Sequence, residues 1–446
     1  MRKCYCDYRY LLLIAAIPFI YIQMRLFATQ SQYADRLADA IEAENQCTKQ
    51  TRFLIDQISM QKGQILSLEE ERKRQDEECR QLRALVQDLE RKGLKKLVGD
   101  VQVPVAAVVV MACNRADYLE RTIKSILKYQ SPVASRYPLF VSQDGSNPHV
   151  KSKALSYDQL TYMQHLDYEP VHTERPGEVI AYYKIARHYK WALDQLFYKH
   201  KFSRVIILED DMEIAPDFFD YFEAGAALLD RDKSIMAISS WNDNGQKQFV
   251  LDPYVLYRSD FFPGLGWMLS RSTWDELSPK WPKAYPSRII FIGDFLHFCF
   301  RHHCLFLFFT SLSHESEVNG SSMGQFFKQY LEPIKLNDVQ VDWKAMDLSY
   351  LEEDKYVEHF ANLLKKATPV HGTDAILKTY NIDGDVRILY RDQSDFEYIA
   401  SQFGIFEEWK DGVPRTAYKG VVVFRYQTQR RVFLVGPDSL QQIGIR

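Results

Sequence analysis

Five consecutive residues, Leu208-Glu209-Asp210-Asp211-Met212, follow directly on the apolar run Val205-Ile206-Ile207. A β-branched run that stops at three acids predicts a buried strand whose C-terminal tip carries carboxylates to the edge of a sheet. Open α/β sheets bind their ligands at that edge. Adjacent carboxylates repel one another, so they need solvent or a cation. Hard divalent ions such as Mg2+ or Mn2+ take carboxylate oxygens and commonly reach across to phosphates. Helix capping is the plainer alternative, because Glu213 to Asp217 leads into Phe218-Phe219-Asp220-Tyr221-Phe222 and helices favour acids at their N-termini. Capping accounts for Asp217 but not for acids set flush against a strand. The metal–phosphate reading fits better.

Other elements must position these acids. Val105 to Met111 is a continuous apolar run, as expected of a central parallel strand, and Cys113-Asn114-Arg115 follows it. A helix is expected from about Tyr118 to Lys128. A second strand, Leu139-Phe140-Val141-Ser142, ends in Gln143-Asp144-Gly145. The segment Tyr182 to Tyr198 is amphipathic and feeds the strand that ends in the acids. Ile235 to Trp241 reads as another strand, and Val421 to Phe424 with Val432 to Val435 as a hairpin. This alternation predicts an α/β fold, a doubly wound mixed sheet with a smaller C-terminal β-containing element. Three strand tips then offer Arg115, Asp144 and Glu209-Asp210-Asp211 to one crevice. Arginine suits a diphosphate or a carboxylate. An aspartate at a strand tip can accept from the base or the ribose of a nucleotide. No Gly-x-Gly-x-x-Gly or Gly-x-x-x-x-Gly-Lys motif follows these strands, which excludes dinucleotide and P-loop readings.

Bulk properties agree. The 446 residues provide ample material for a large core, and a formal charge of -3 argues against nucleic-acid binding. Seven scattered cysteines without a Cys-x-x-Cys pair indicate neither a zinc site nor a dense disulfide framework.

The N-terminus reads as a membrane anchor. Arg2, Lys3 and Arg9 precede an apolar run from Tyr10 to Ile22, and the following Gln23-Met24-Arg25-Leu26-Phe27 is no small-x-small cleavage site. The expected layout is a cytosolic tail over 1–9, a signal-anchor helix over 10–27, a helical stem over 28–103 and a lumenal domain over 104–446. The positive flank keeps the N-terminus cytosolic, which makes the chain single-pass type II. In the stem, Leu37 and Ile41, Leu54 and Ile58, and Leu82, Leu85, Val86 and Leu89 recur at helical spacing between polar stretches. A solvated spacer accounts for this broken pattern. A coiled coil joining two chains, a homo- or hetero-oligomer, is the alternative.

Five motifs occur in order: Ser142-Gln143-Asp144, Tyr183-Lys184-Ile185-Ala186-Arg187-His188-Tyr189, Glu209-Asp210-Asp211, Ser240-Trp241-Asn242-Asp243-Asn244-Gly245 and Phe261-Phe262-Pro263-Gly264-Leu265-Gly266-Trp267. Together they closely resemble the N-acetylglucosaminyltransferase I family, in a plant-like form. The likeness runs from about Pro104 to Lys283. It resumes at Gly320-Ser321-Ser322-Met323-Gly324-Gln325-Phe326-Phe327. The resemblance implies a nucleotide-diphosphate-sugar (GT-A) fold, a Golgi membrane anchor, Mn2+ and the donor UDP-GlcNAc. It implies β1,2 transfer to the α1,3-mannose of the high-mannose N-glycan core, with inversion, at the start of hybrid and complex N-glycan synthesis. By the same resemblance, Arg115, Asp144, His188, Asp210 and Ser322 contact the nucleotide sugar and Asp211 ligates Mn2+. For His188, inward helix packing is the plainer alternative. Trp241, Trp267 and Tyr257 are more simply core residues than sugar platforms.

One stretch departs. After Trp281-Pro282-Lys283-Ala284-Tyr285 the family continues with a Trp-Asp-Asp-Trp motif, one of whose aspartates is the general base. Here the chain reads Pro286-Ser287-Arg288-Ile289-Ile290-Phe291-Ile292-Gly293-Asp294. The run Phe295 to Phe309 has neither clean helical nor strand periodicity, and Asp294, Arg301 and its histidines make a second membrane span expensive. A metal site at His297, His302, His303 and Cys304 is the lesser alternative. Residues 286–319 therefore read as foreign to the family, as translated non-coding sequence or an altered exon between two intact halves. Asp294 is the only acid near the right chain position, nothing around it matches, and the catalytic base stays unassigned. The expectation is an intact donor site with impaired transfer. The rival function is a catalytically inactive protein that binds the nucleotide sugar or scaffolds other Golgi enzymes through its stem.

Overall fold

The computed structural model describes residues 8–91, 103–173, 178–262, 264–284, 303–307, 333–334, 336–378, 382–410 and 412–445. The chain forms two units, Met1–Val101 and Gln102–Arg446. The first is built on one helix, α1 (Tyr8–Arg91), with Pro18 inside it. Its Glu, Gln, Lys, Arg and Ala content favours helix over most of its length. Leu37, Ile41, Leu54 and Ile58 are exposed along it. Among the described residues no helix is long and apolar enough to cross a membrane, so the anchor expected over 10–27 rests on the sequence alone.

The second unit is built on an eight-stranded sheet. Its strands are β1 (Ala107–Ala112), β2 (Leu139–Asp144), β3 (Leu160–His165), β4 (Arg204–Glu209), β5 (Ile235–Ser239), β6 (Leu256–Ser259), β7 (Trp267–Ser270) and β8 (His303–Leu307). They lie in the order β3-β2-β1-β4-β7-β5-β8-β6. β7 runs antiparallel to β4 and β5, and β6 antiparallel to β8; the other neighbours are parallel. The helices are α2 (Ala116–Gln130), α3 (Pro148–Leu155), α4 (Ile180–Asp194), α5 (Phe218–Arg231) and α6 (Arg271–Leu277). This is the mixed α/β architecture expected, with the strands of Val105–Met111, Leu139–Ser142, Val205–Leu208 and Ile235–Trp241 where their apolar runs put them.

β1 shows why these runs are continuous. Every residue in it is buried. Val108 and Val110 join one core with Leu119 and Ile123 of α2, Val150 of α3 and Phe222 of α5. Val109 and Met111 join another with Tyr189 and Leu193 of α4 and Trp274 of α6. A strand covered on both faces has no polar side, so its sequence does not alternate. Each such Val or Ile side chain contributes about 1.5–3 kcal/mol on burial.

β8 was not expected from the sequence. It comes from the stretch that shows no periodicity, yet its backbone pairs parallel with β5 and antiparallel with β6. A strand flanked by partners on both sides takes its conformation from the ladder, whatever the pattern of its residues. The rest of the anomalous segment, with Asp294, lies outside the described residues, as does Ser322.

A smaller four-stranded sheet follows. α7 (Glu353–Lys366) precedes β9 (Thr368–Val370) and β10 (Val386–Leu389). After α8 (Gln393–Phe403) come the short ribbon β11 (Trp409–Lys410) and β12 (Val413–Pro414), then β13 (Val421–Arg425) and β14 (Arg431–Val435). The order is β13-β14-β10-β9. The anticipated hairpin is β13–β14, antiparallel from Val421↔Val435 to Arg425↔Arg431; β9 and β10, too short and mixed for a pattern, were not anticipated.

Candidate active site

Parallel pairing brings the C-terminal tips of β2, β1 and β4 to one edge. Register sets Met111 between Ser142 and Glu209. β5 is antiparallel to β7, which is antiparallel to β4, so β5 and the Ser240–Gly245 loop emerge at the same edge. Trp241, Tyr257 and Trp267 are all buried, core residues as the simpler alternative had it.

The three acids leave β4 in a turn held by α2. The Thr122 hydroxyl donates to the Asp210 carbonyl at 2.9 Å and accepts from the Met212 N–H at 3.0 Å. Arg115, at the turn into α2, pairs with both aspartates: Nη2 donates to Asp210 Oδ1, and Nη1 lies 2.9 Å from Asp211 Oδ2. Glu209 accepts from the Tyr189 hydroxyl at 2.9 Å. Burial pushes the Asp210 carboxyl up to about 6 although Arg115 pulls it down. Burial first, and Asp211 second, also hold Glu209 above the usual carboxylate range. Three carboxyl groups meet at this buried turn beside the Arg115 guanidinium, a setting that would favour a further cation.

The donor set suits a hard divalent ion. Carboxylate oxygens are its preferred ligands, and such an ion is commonly held by one or two carboxylates plus substrate phosphates. Among the described residues no group of three or more His, Cys, Asp or Glu is arranged to hold a metal. An ion bound there would need oxygens other than these carboxylates to complete its shell.

Asp144 ends β2 opposite His165 of β3. His165 Nδ1 lies 2.8 Å from Asp144 Oδ1. His188, buried on α4, bonds through Nε2 to Ser142 Oγ at 2.8 Å and stacks on His165 with ring centroids 5.5 Å apart. Burial depresses the His188 imidazole to about 4, so it is neutral at neutral pH. Thus Arg115, Asp210 and Asp211 form one cluster, and Asp144 and His188 form a second through His165. Sequence reasoning missed His165, Thr122 and Tyr189. Each is unremarkable locally, and only strand register or helix packing brings it to the edge. Cys113, two residues before Arg115, has a free thiol. Burial, then Asp144 and Asp210, raise its pKa, which argues against a nucleophile.

A cavity of about 710 Å3 opens beside Arg115, lined by Asn114, Tyr118, Asn147, His149 and Lys153 among others. That volume lies in the range of small-molecule sites. Asn147 caps α3 by accepting from the His149 and Val150 N–H groups.

A mixed sheet that carries acids, a guanidinium and an Asp–His pair to one edge is the frame of an α/β transferase, and comparison with known proteins makes the class a glycosyltransferase. The GNT-I family model matches residues 13–446. A relative from Arabidopsis thaliana, Alpha-1,3-mannosyl-glycoprotein 2-beta-N-acetylglucosaminyltransferase, is 68% identical over 448 residues and covers 100% of both chains. The chain belongs to the GNT-I family. Among solved structures, S. aureus TarS 1-349 in complex with UDP-GlcNAc is 12% identical over 59% of this chain and 67% of that chain, with a TM-score of 0.31. Another crystal structure of the same fragment matches over 59% of its length. Mannosyltransferase PcManGT from Pyrobaculum calidifontis, in complex with GDP-Man and Mn2+, is 17% identical over 42% of this chain and 53% of that chain, with a TM-score of 0.25. Likenesses this slight carry no argument about the chain.

Proposed function

We propose that the chain is a GT-A, inverting transferase that moves GlcNAc from UDP-GlcNAc in β1,2 linkage to the α1,3-mannose of the high-mannose N-glycan core. The observation that carries this is the acid cluster at the tip of β4, paired with Arg115 and flanked by Asp144 at the tip of β2. The 68% identity to the Arabidopsis enzyme of that name supports the donor and acceptor. Asp211 would hold Mn2+, with Asp210 against the UDP. Bound there, the ion supplies Lewis-acid neutralisation of charge on the departing diphosphate. Arg115 holds both aspartates in place; with Asp144, His188 and the outlying Ser322 it would bind the nucleotide sugar. The 2-hydroxyl of the mannose attacks from the face opposite UDP, and a carboxylate base must take its proton. The same reading makes the chain a single-pass type II Golgi membrane protein with the catalytic domain in the lumen, anchored over 10–27, with a stem able to serve oligomers.

No Trp-Asp-Asp-Trp follows Tyr285. That absence favours a second reading, a protein that binds the nucleotide sugar or scaffolds Golgi enzymes without transferring. Radiolabelled transfer from UDP-GlcNAc to a five-mannose glycan decides between the two. The chain as it stands is expected to incorporate little label. A version carrying family sequence, with Trp-Asp-Asp-Trp, in place of residues 286–319 is expected to incorporate it readily. Failure of that version would remove the acceptor assignment.

A further inference from the structure

We propose that His165 is a positioning residue for the donor, fixing the Asp144 carboxylate so that it reads one hydrogen-bond donor on the uridine moiety. The inference rests on the donor reading above and adds to it a residue that no motif marks.

The placement is over-determined. His165 is the last residue of β3 and lies opposite Asp144 in parallel register. An ionised carboxylate offers only lone pairs, so Nδ1 carries the proton in the 2.8 Å contact with Oδ1. The two tips are locked together: the Gly145 backbone N–H donates to the His165 carbonyl at 2.8 Å, and the Gln164 side-chain amide donates to the Gly145 carbonyl at 2.9 Å. The His165 ring is held as well. It stacks on His188 at an interplanar angle of 13° and tilts against Trp191 with centroids 5.2 Å apart. His188 and Trp191 are three residues apart on α4 and so share a face. Ser142 in turn holds His188.

This arrangement has a chemical consequence. By holding Oδ1, His165 fixes the plane of the carboxylate, so Oδ2 would meet a ligand in one orientation. A fixed acceptor favours a ligand that presents an N–H or O–H there and rejects one that presents a lone pair. Uracil N3 is a donor and cytosine N3 an acceptor; a ribose hydroxyl is also a donor. If Asp144 could rotate, it would turn to solvent and the rejection would weaken. His165 thus sets selectivity through Asp144, without touching the nucleotide.

The test measures Kd by calorimetry with Mn2+ present, on the full chain. The ligands are UDP, CDP, 2′-deoxy-UDP and 3′-deoxy-UDP; the variants are D144A, H165F and H165N. D144A is expected to collapse the preference for UDP over CDP if the base is read, or over one deoxy-UDP if the ribose is read. H165F keeps an aromatic ring without the donor and is expected to lower the same ratio by about fivefold, the worth of one hydrogen bond. H165N, whose amide can stand in for Nδ1–H, is expected to restore most of it. Ratios compare ligands on one variant, so a general loss of folded protein cancels. A ratio collapsed by D144A but untouched by H165F overturns the role of His165 alone. Ratios untouched by D144A overturn the donor reading of Asp144, and the inference with it.

Discussion

Asp243 Oδ1 and Arg415 Nη1, 172 residues apart, meet at 2.8 Å. The pair ties the loop leaving β5, at the sheet edge that carries Asp210 and Asp211, to the segment that follows β12. Trp241 Nε1 donates to the same carboxylate oxygen at 3.0 Å, and Arg415 also pairs with Glu408. The guanidinium lies over Phe406 and Phe261, 4.4 and 4.9 Å from the ring centroids. Next along the loop, Asn244 donates to Thr416 Oγ1 at 3.1 Å and accepts from the Phe406 N–H at 2.9 Å. The Ser240–Gly245 motif is therefore an attachment point between the large sheet and the C-terminal sheet.

Removing one partner of a buried pair leaves the other charged and unpaired. R415M keeps most of the apolar contact and is expected to lower the unfolding free energy by about 3 kcal/mol. Urea denaturation measures it. A loss near zero would mean that the aromatic stack, not the ion pair, makes the attachment.

Thr122 serves two backbone groups of the acid turn with one hydroxyl. T122V removes that hydroxyl at nearly constant shape and strands the Asp210 carbonyl and the Met212 N–H. The expected cost is about 2 kcal/mol of stability. UDP binding should weaken too, because the turn that presents Asp210 and Asp211 loosens. An unchanged melting curve with unchanged UDP affinity would show that the turn holds itself.

Asp211 is the proposed protein ligand of Mn2+. D211A, or chelation of divalent ions from the unaltered chain, is expected to cut UDP affinity roughly 10- to 100-fold, about 1.5–3 kcal/mol of charge-assisted contact. Calorimetric titration reads both. Equal UDP affinity with and without Mn2+ would remove the metal from the site.

His188 makes stability depend on pH. Its pKa falls from the ordinary 6.5 to about 4 on folding, chiefly through burial. Between those values the unfolded chain binds more protons than the folded one, so stability rises with pH there. The contribution is fully present above pH 6.5 and is lost as pH falls through about 4. Its size is on the order of 3 kcal/mol. H188Q should flatten that part of the unfolding free energy measured by urea denaturation from pH 4 to 7. A slope identical to that of the parent chain would place the acid sensitivity elsewhere.

Much of the site was visible in the residues because its causes are local. A β-branched run that ends in acids favours a buried strand reaching an edge, and the apolar run around Val108 favours a strand covered on both faces. The order of motifs added the family. Burial of Trp267 followed from its setting as well, since a large aromatic leading into Met268-Leu269 belongs to a core.

Other features had no local cause to read. β8 is a strand because β5 and β6 flank it, not because His303 to Leu307 alternates. His165 meets Asp144 because two parallel strands share a register, and Arg415 meets Asp243 across 172 positions of chain. The chain by itself decided the strands and helices whose pattern is written in adjacent residues, such as β1 and β4, and which side chains can carry charge, because those depend on neighbours a few bonds away. Only the packed structure decided which charges meet and which imidazole is dry. Partners and solvent access are set by elements that are distant in sequence and come together only when the core closes.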